Sequence, residues 1–79
     1  MKIMIDRIDM NGYWGREHHP EPSDEGKVGT VIGWECIDDE DVFTVAVDGE
    51  GAHSAPRILE IMGHEVKAIE TTGQWFRAS

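Results

Sequence analysis

Residues 27–48 place the tightest constraint on how this chain can fold. Lys27-Val28-Gly29-Thr30-Val31-Ile32-Gly33-Trp34-Glu35-Cys36 and Val42-Phe43-Thr44-Val45-Ala46-Val47-Asp48 are crowded with β-branched and aromatic residues. Two heavy atoms on Cβ stiffen χ1 and favour an extended backbone, so both runs read as strands. Val28, Thr30, Ile32, Trp34 and Cys36 share one parity, and Phe43, Val45 and Val47 share another. A period of two marks a strand with one buried face. The short acidic connection Ile37-Asp38-Asp39-Glu40-Asp41 reads as a hairpin, and Asp48-Gly49 as a second turn.

The rest of the chain extends this pattern. Residues 2–10 alternate imperfectly, with Ile3 and Ile5 on one face and Met4, Ile8 and Met10 on the other. A bulge near Asp6-Arg7 would reconcile them and make a first strand. Residues 11–26 hold two prolines and three glycines among polar residues, which reads as a long loop. Gly29 and Gly33 suggest a sharply bent second strand. Arg57-Ile58-Leu59-Glu60-Ile61-Met62 makes a fourth strand, and Gly63-His64 turns the chain into a fifth at residues 65–70. Ile58, Ile61, Met62 and Glu65 also fit helical spacing, but Gly63 in the middle argues for strands. The expectation is an all-β, small five-stranded antiparallel barrel with a long first loop. It occupies residues 1–70 as a single domain, with a C-terminal tail at 71–79. Its expected core is Val28, Ile32, Phe43, Val45, Val47, Ile58 and Val66. Truncation of Phe43 to alanine is expected to cost about 3–5 kcal/mol.

The stretch Glu25-Gly26-Lys27-Val28-Gly29-Thr30-Val31-Ile32, with Phe43-Thr44-Val45 after it, resembles the SH3-like and KOW-like barrels. Their second strand opens with G-x-x-G-x-V and their third carries F-x-V. The resemblance covers residues 27–70 and implies fold, not function. Gly29-Thr30-Val31-Ile32-Gly33-Trp34-Glu35-Cys36 also looks like the type II, plasmid-borne dihydrofolate reductases, whose strand here reads G-x-I-V-G-W-x-C. That likeness implies a small oligomeric NADPH-dependent enzyme. The reductase segment V-Q-I-Y has its counterpart in Ile58-Leu59-Glu60-Ile61, without the glutamine or the tyrosine. Pro20-Glu21-Pro22-Ser23-Asp24-Glu25 is acidic where that family is basic.

Charge sets the functional expectation. Sixteen carboxylates face seven Lys and Arg in 79 residues, a net charge of −9. Such a field repels nucleic-acid backbones and anionic membranes and attracts basic protein surfaces. It also keeps a small protein soluble. Cys36 is the single cysteine, so no disulfide framework is available. With charges at Lys2, Asp6 and Arg7 where a signal peptide needs an apolar run, the expected compartment is the cytoplasm. Cys36 is expected to be a reduced, buried thiol.

Asp38, Asp39, Glu40 and Asp41 concentrate four carboxylates on one connection. They could form a merely solvated turn, or copy the charge spacing of nucleic-acid phosphates. Tyr13 and Trp14 sit in the long loop, where aromatics either anchor an interface or cover an open barrel end. His18 and His19 lack the spacing that sets two metal ligands on one helix face. Ser54 beside His53, and Cys36, lack a surrounding nucleophile motif. The expected function is that of a non-enzymatic acidic interaction protein, without cofactor or metal. It resembles accessory proteins of phages and mobile elements, such as anti-CRISPR and anti-restriction proteins. Its expected partner is a host protein's basic surface, with no direct contact to nucleic acid or membrane. Its oligomeric state stays open.

Overall fold

A computed structural model describes residues 1–10, 15–48 and 55–77. The first strand, β1 (Lys2–Ile5), pairs antiparallel on both sides, which places it inside the sheet. β2 (Val28–Ile37), β3 (Glu40–Val47) and β4 (Arg57–Met62) form an antiparallel meander. A single 3₁₀ turn, Gly63–Glu65, leads into β5 (Val66–Thr71), which pairs with β1 and not with β4. β6 (Gln74–Arg77) then folds back on β5. The order across the sheet is β4-β3-β2-β1-β5-β6.

The fold is all-β, as expected, but the expected barrel is an open sheet of six strands. β4 and β6 are its two ends. The sixth strand comes from the segment read as a tail. Gln74-Trp75-Phe76-Arg77 is too short for alternation to betray it. The turn before it specifies the hairpin: Thr72 has φ 51° and Gly73 φ 83°. Two successive left-handed residues give the turn whose twist matches that of paired strands.

Ile3, Ile5, Ile8, Val45, Val47, Leu59, Ile61 and Val66 form the buried cluster, with Val31, Phe43 and Ile69 packed against it. Burial of each large aliphatic side chain stabilises the fold by roughly 1.5–3 kcal/mol. Three expected core residues are not there: Val28, Ile32 and Ile58 are exposed. The parity of β2 explains two of them. Gly29 faces inward, opposite Ile3. A Cβ there would lie 3.1 Å from Val45 Cβ and Val47 Cγ2. Close approach of backbone to side chains thus sets the inward face as Gly29 and Val31, and sends Val28 outward.

Ile32 is the extra residue of a bulge, since the pairing with β3 shifts between Val31 and Gly33. After the bulge Trp34 lies opposite Phe43 and Cys36 opposite Asp41. This part of β2 extends past the segment that pairs with β1, which ends at Thr30. Trp34 and Cys36 therefore have a strand on one side alone, and both are exposed. The expectation of a buried Cys36 is corrected accordingly. Ile58, opposite Ala46, lies on the face away from Leu59 and the core.

These parities make a direct test by urea denaturation. Gly29→Ala should destabilise by about 1–3 kcal/mol through overpacking. Ile61→Ala should cost about 2–5 kcal/mol. Phe43 is half-buried, so its truncation should cost less than first expected. Ile32→Ser should change stability by no more than about 0.5 kcal/mol.

Candidate interaction surface

The long segment between β1 and β2 is held to the 3₁₀ turn by a buried ion pair. Arg16 Nη1 lies 2.6 Å from Glu65 Oε1, and both side chains are fully buried. Charges at that depth are tolerated when their remaining donors and acceptors are satisfied. Arg16 also donates to the Glu60 carbonyl at 3.1 Å and the Asp9 carbonyl at 3.3 Å. Glu65 accepts from the Met62 N–H at 2.9 Å and the Asp9 N–H at 2.7 Å. Arg16 Nη2 lies 2.9 Å from His19 Nε2. A guanidinium only donates, so Nε2 accepts. The His19 proton then sits on Nδ1, which donates to the Pro20 carbonyl at 2.8 Å.

A second anchor is Asp24, buried at the end of the 3₁₀ turn Pro22–Asp24. It accepts from the Glu21 N–H at 2.8 Å and from Arg57, with Lys27 Nζ at 3.5 Å. Burial alone would raise its pKa. The Glu21 N–H and the two cations outweigh that and hold it below the usual carboxylate range. The same loop covers the outer edge of β4, where the Glu60 N–H donates to the His18 carbonyl at 2.9 Å. The His18 N–H returns a bond to the Glu60 carboxylate at 2.8 Å.

On this frame stands the β2–β3 hairpin. Asp38 and Asp39 have φ 50° and 64°, so they form a two-residue turn that Asp accommodates better than most side chains. Both are exposed at the tip. Glu40 and Asp41 already belong to β3. The Glu40 carboxylate lies 2.7 Å from His64 Nδ1, and Asp9 Oδ2 lies 2.9 Å from His64 Nε2. The bond to Glu40 raises the pKa of His64; burial opposes this and the bond to Asp9 reinforces it. Asp41 Oδ1 accepts from the Trp34 indole N–H at 3.3 Å. Trp34 is 62% exposed and Ile32 59%. One hairpin thus presents an indole, an aliphatic side chain and a tip of carboxylates.

The four acidic residues singled out in the sequence are therefore on one hairpin, two at its tip and two engaged by neighbours. Tyr13 and Trp14 lie outside the described residues, as do His53 and Ser54. His18 and His19 do different jobs: one backbone edges β4 and the other ring caps Arg16. Among the described residues no three His, Cys, Asp or Glu side chains gather as a metal would require. Gly29 and Gly33 suggest a bent second strand with Trp34 on the Val28 parity; the irregularity is a bulge at Ile32, beside Gly33, that breaks that parity. Nothing local marks Arg16 and Glu65 as a pair, because they are 49 residues apart. No helix among the described residues is long and apolar enough to cross a membrane. No family model, curated protein or solved structure matches this chain.

Arg16→Met should destabilise the fold by about 3–5 kcal/mol, because it leaves the Glu65 carboxylate buried and unpaired. Adding Glu65→Leu should recover part of that loss, read as coupling in a double-mutant cycle. His64 gives a pH signature. Its folded pKa is raised, so its clamp is fully present below about pH 6.5 and is lost as pH rises through the folded value. The thermal midpoint gap between the protein and His64→Gln should be widest near pH 6 and close toward about pH 9. At a half-exposed site the contribution should stay below about 1 kcal/mol after solvent screening.

Proposed function

We propose that this chain is a non-enzymatic interaction protein that docks on a basic, nucleic-acid-binding surface of a host protein and blocks it. The observation that carries this reading is the exposed Trp34, set among the carboxylates of the same hairpin. An indole beside acidic groups suits an Arg-rich surface. The ring face attracts a guanidinium, and carboxylates accept paired N–H bonds from it. Aromatic residues dominate the energetic centres of interfaces, whereas rim charges mostly set association rate. The net charge of −9 favours encounter with basic proteins and disfavours nucleic acid itself. The chain's 79 residues and net charge of −9 resemble, by analogy alone, those of accessory proteins of phages and mobile elements such as anti-CRISPR and anti-restriction proteins.

The test begins with capture of the partner from host lysate and its identification by mass spectrometry. Asp38→Asn with Asp39→Asn leaves the His64 clamp and the Trp34 bond untouched. That pair should slow association and weaken binding by roughly threefold to tenfold, an effect that fades as salt rises. Neutralising Asp38, Asp39, Glu40 and Asp41 together should exceed tenfold. Trp34→Ala should weaken binding by more than about tenfold at every salt concentration. If neither the quadruple change nor Trp34→Ala alters affinity, the hairpin is not the binding surface.

A further inference from the structure

We infer that the open sheet edge at β6 is a second binding surface, which takes up an acidic, extended segment of a partner protein as an added strand. The two ends of the sheet differ. The β4 edge is covered by His18. Among the described residues β6 pairs with β5 alone, and all four of its residues are exposed. In a two-residue hairpin the closing pair, here Thr71 and Gln74, exchanges both backbone bonds. Alternation then commits Phe76 to β5 and turns the N–H and C=O groups of Trp75 and Arg77 toward the edge that no described strand covers. Edge strands usually guard against pairing with lysine, proline or a bulge. β6 instead presents Trp75, 43% exposed, on one face and Phe76, 54% exposed, on the other. Phe76 lies opposite Ile69 on the core face, and Trp75 lies opposite Glu70 on the outer face.

Charge identifies the occupant. Arg16, Lys27 and Arg57 are tied to Glu65 and Asp24. Lys2, Arg7, Lys67 and Arg77 belong to β1, β5, β6 or the residues just after β1, and no ion pair ties them among the described residues. Lys67 and Arg77 line a hollow of about 280 Å³ with Asp6 and Val66. Lys67 and Arg7 line an adjoining one of about 380 Å³ with Asp6 and Glu25. Asp6 and Glu25 line these hollows, and Glu70 lies opposite Lys2 on the neighbouring strand. Glu25 already accepts the Ile8 N–H at 2.8 Å, and Glu70 the Gly73 N–H at 2.7 Å. Among the described residues named here, four cations stand with three carboxylates, a more positive balance than that of a chain of net charge −9.

A second copy fits less well. Symmetric pairing of two β6 strands would bring Lys67 and Arg77 of both copies to one seam, between two molecules each carrying −9. A complementary strand would set an acidic side chain beside Arg77 and an apolar one beside Phe76, with backbone bonds to Trp75 and Arg77 supplying affinity.

The probe is a terminally blocked octapeptide alternating glutamate and valine, titrated into the full isotope-labelled chain and followed by amide NMR. The Trp75 and Arg77 amides should shift and gain exchange protection. Arg77→Glu should weaken binding by about tenfold, and a peptide with lysine in place of glutamate should bind at least as poorly. Trp75→Pro should weaken binding by more than about tenfold while the Gln74 and Phe76 amides stay protected, since proline removes one of the two outward donors and leaves that of Arg77 alone. Should that change detach β6, Lys67→Glu with Arg77→Glu tests the same point through exposed side chains. Equal binding of the lysine peptide, shifts confined to residues 34–41, or no binding would overturn the proposal. Concentration-dependent protection of Trp75 and Arg77 without peptide would assign the edge to a second copy instead.

Discussion

The guanidinium of Arg16 and the carboxylate of Glu65 meet where the chain changes direction. Glu65 closes the 3₁₀ turn that carries the chain away from β4 and delivers it to β5 beside β1. Arg16 belongs to the segment that leaves β1. Their contact therefore fixes the sheet order from both sides of the crossing. Its partners are mostly main-chain groups of Asp9, Glu60 and Met62, so the pair also supplies bonds to backbone that would otherwise be buried without them. A hydrophobic pair of the same volume could match its stability but could not satisfy those groups.

With that junction held, the remaining acids can be displayed outward. The β2–β3 hairpin stands on it through His64, whose ring joins Glu40 of β3 to Asp9 of the loop. The bulge at Ile32 reverses the facing of the residues beyond it. It brings Trp34 to the side of Asp41, where no strand of β1 covers the indole. A straight β2 would have kept the Val28 parity to its end. The inserted residue thus sets Trp34 on the Phe43 face, and the short length of β1 leaves the indole exposed there.

Charge is divided along the same lines. The cations needed to neutralise buried carboxylates are used inside the loop, at Asp24 and Glu65. Those left over sit at the β1, β5 and β6 side, away from the acidic hairpin. A strongly acidic chain therefore keeps its carboxylate-rich hairpin and its remaining cations in different places. The β2–β3 hairpin carries exposed Asp38 and Asp39 beside Trp34, and the β5–β6 side carries Lys67 and Arg77.

How much of this was legible beforehand follows from the range of the forces involved. The strands were visible as 27–36, 42–48 and 57–62, within two residues of the observed bounds, because β-branched density and turn signals are local properties. The acidic hairpin was visible for the same reason, since Asp38 and Asp39 stand together in the chain. The sequence by itself determined an all-β chain with a tight acidic turn and a strong negative field. Only the tertiary structure decided which face of β2 is buried, because that depends on Gly29 meeting Val45 and Val47 and on a bulge that reverses parity within one strand. It alone decided that Arg16 is a buried partner and not a solvated loop residue. It alone made a strand of Gln74–Arg77. Those outcomes rest on contacts between residues far apart in the chain or on backbone register, and neither leaves a mark in local composition.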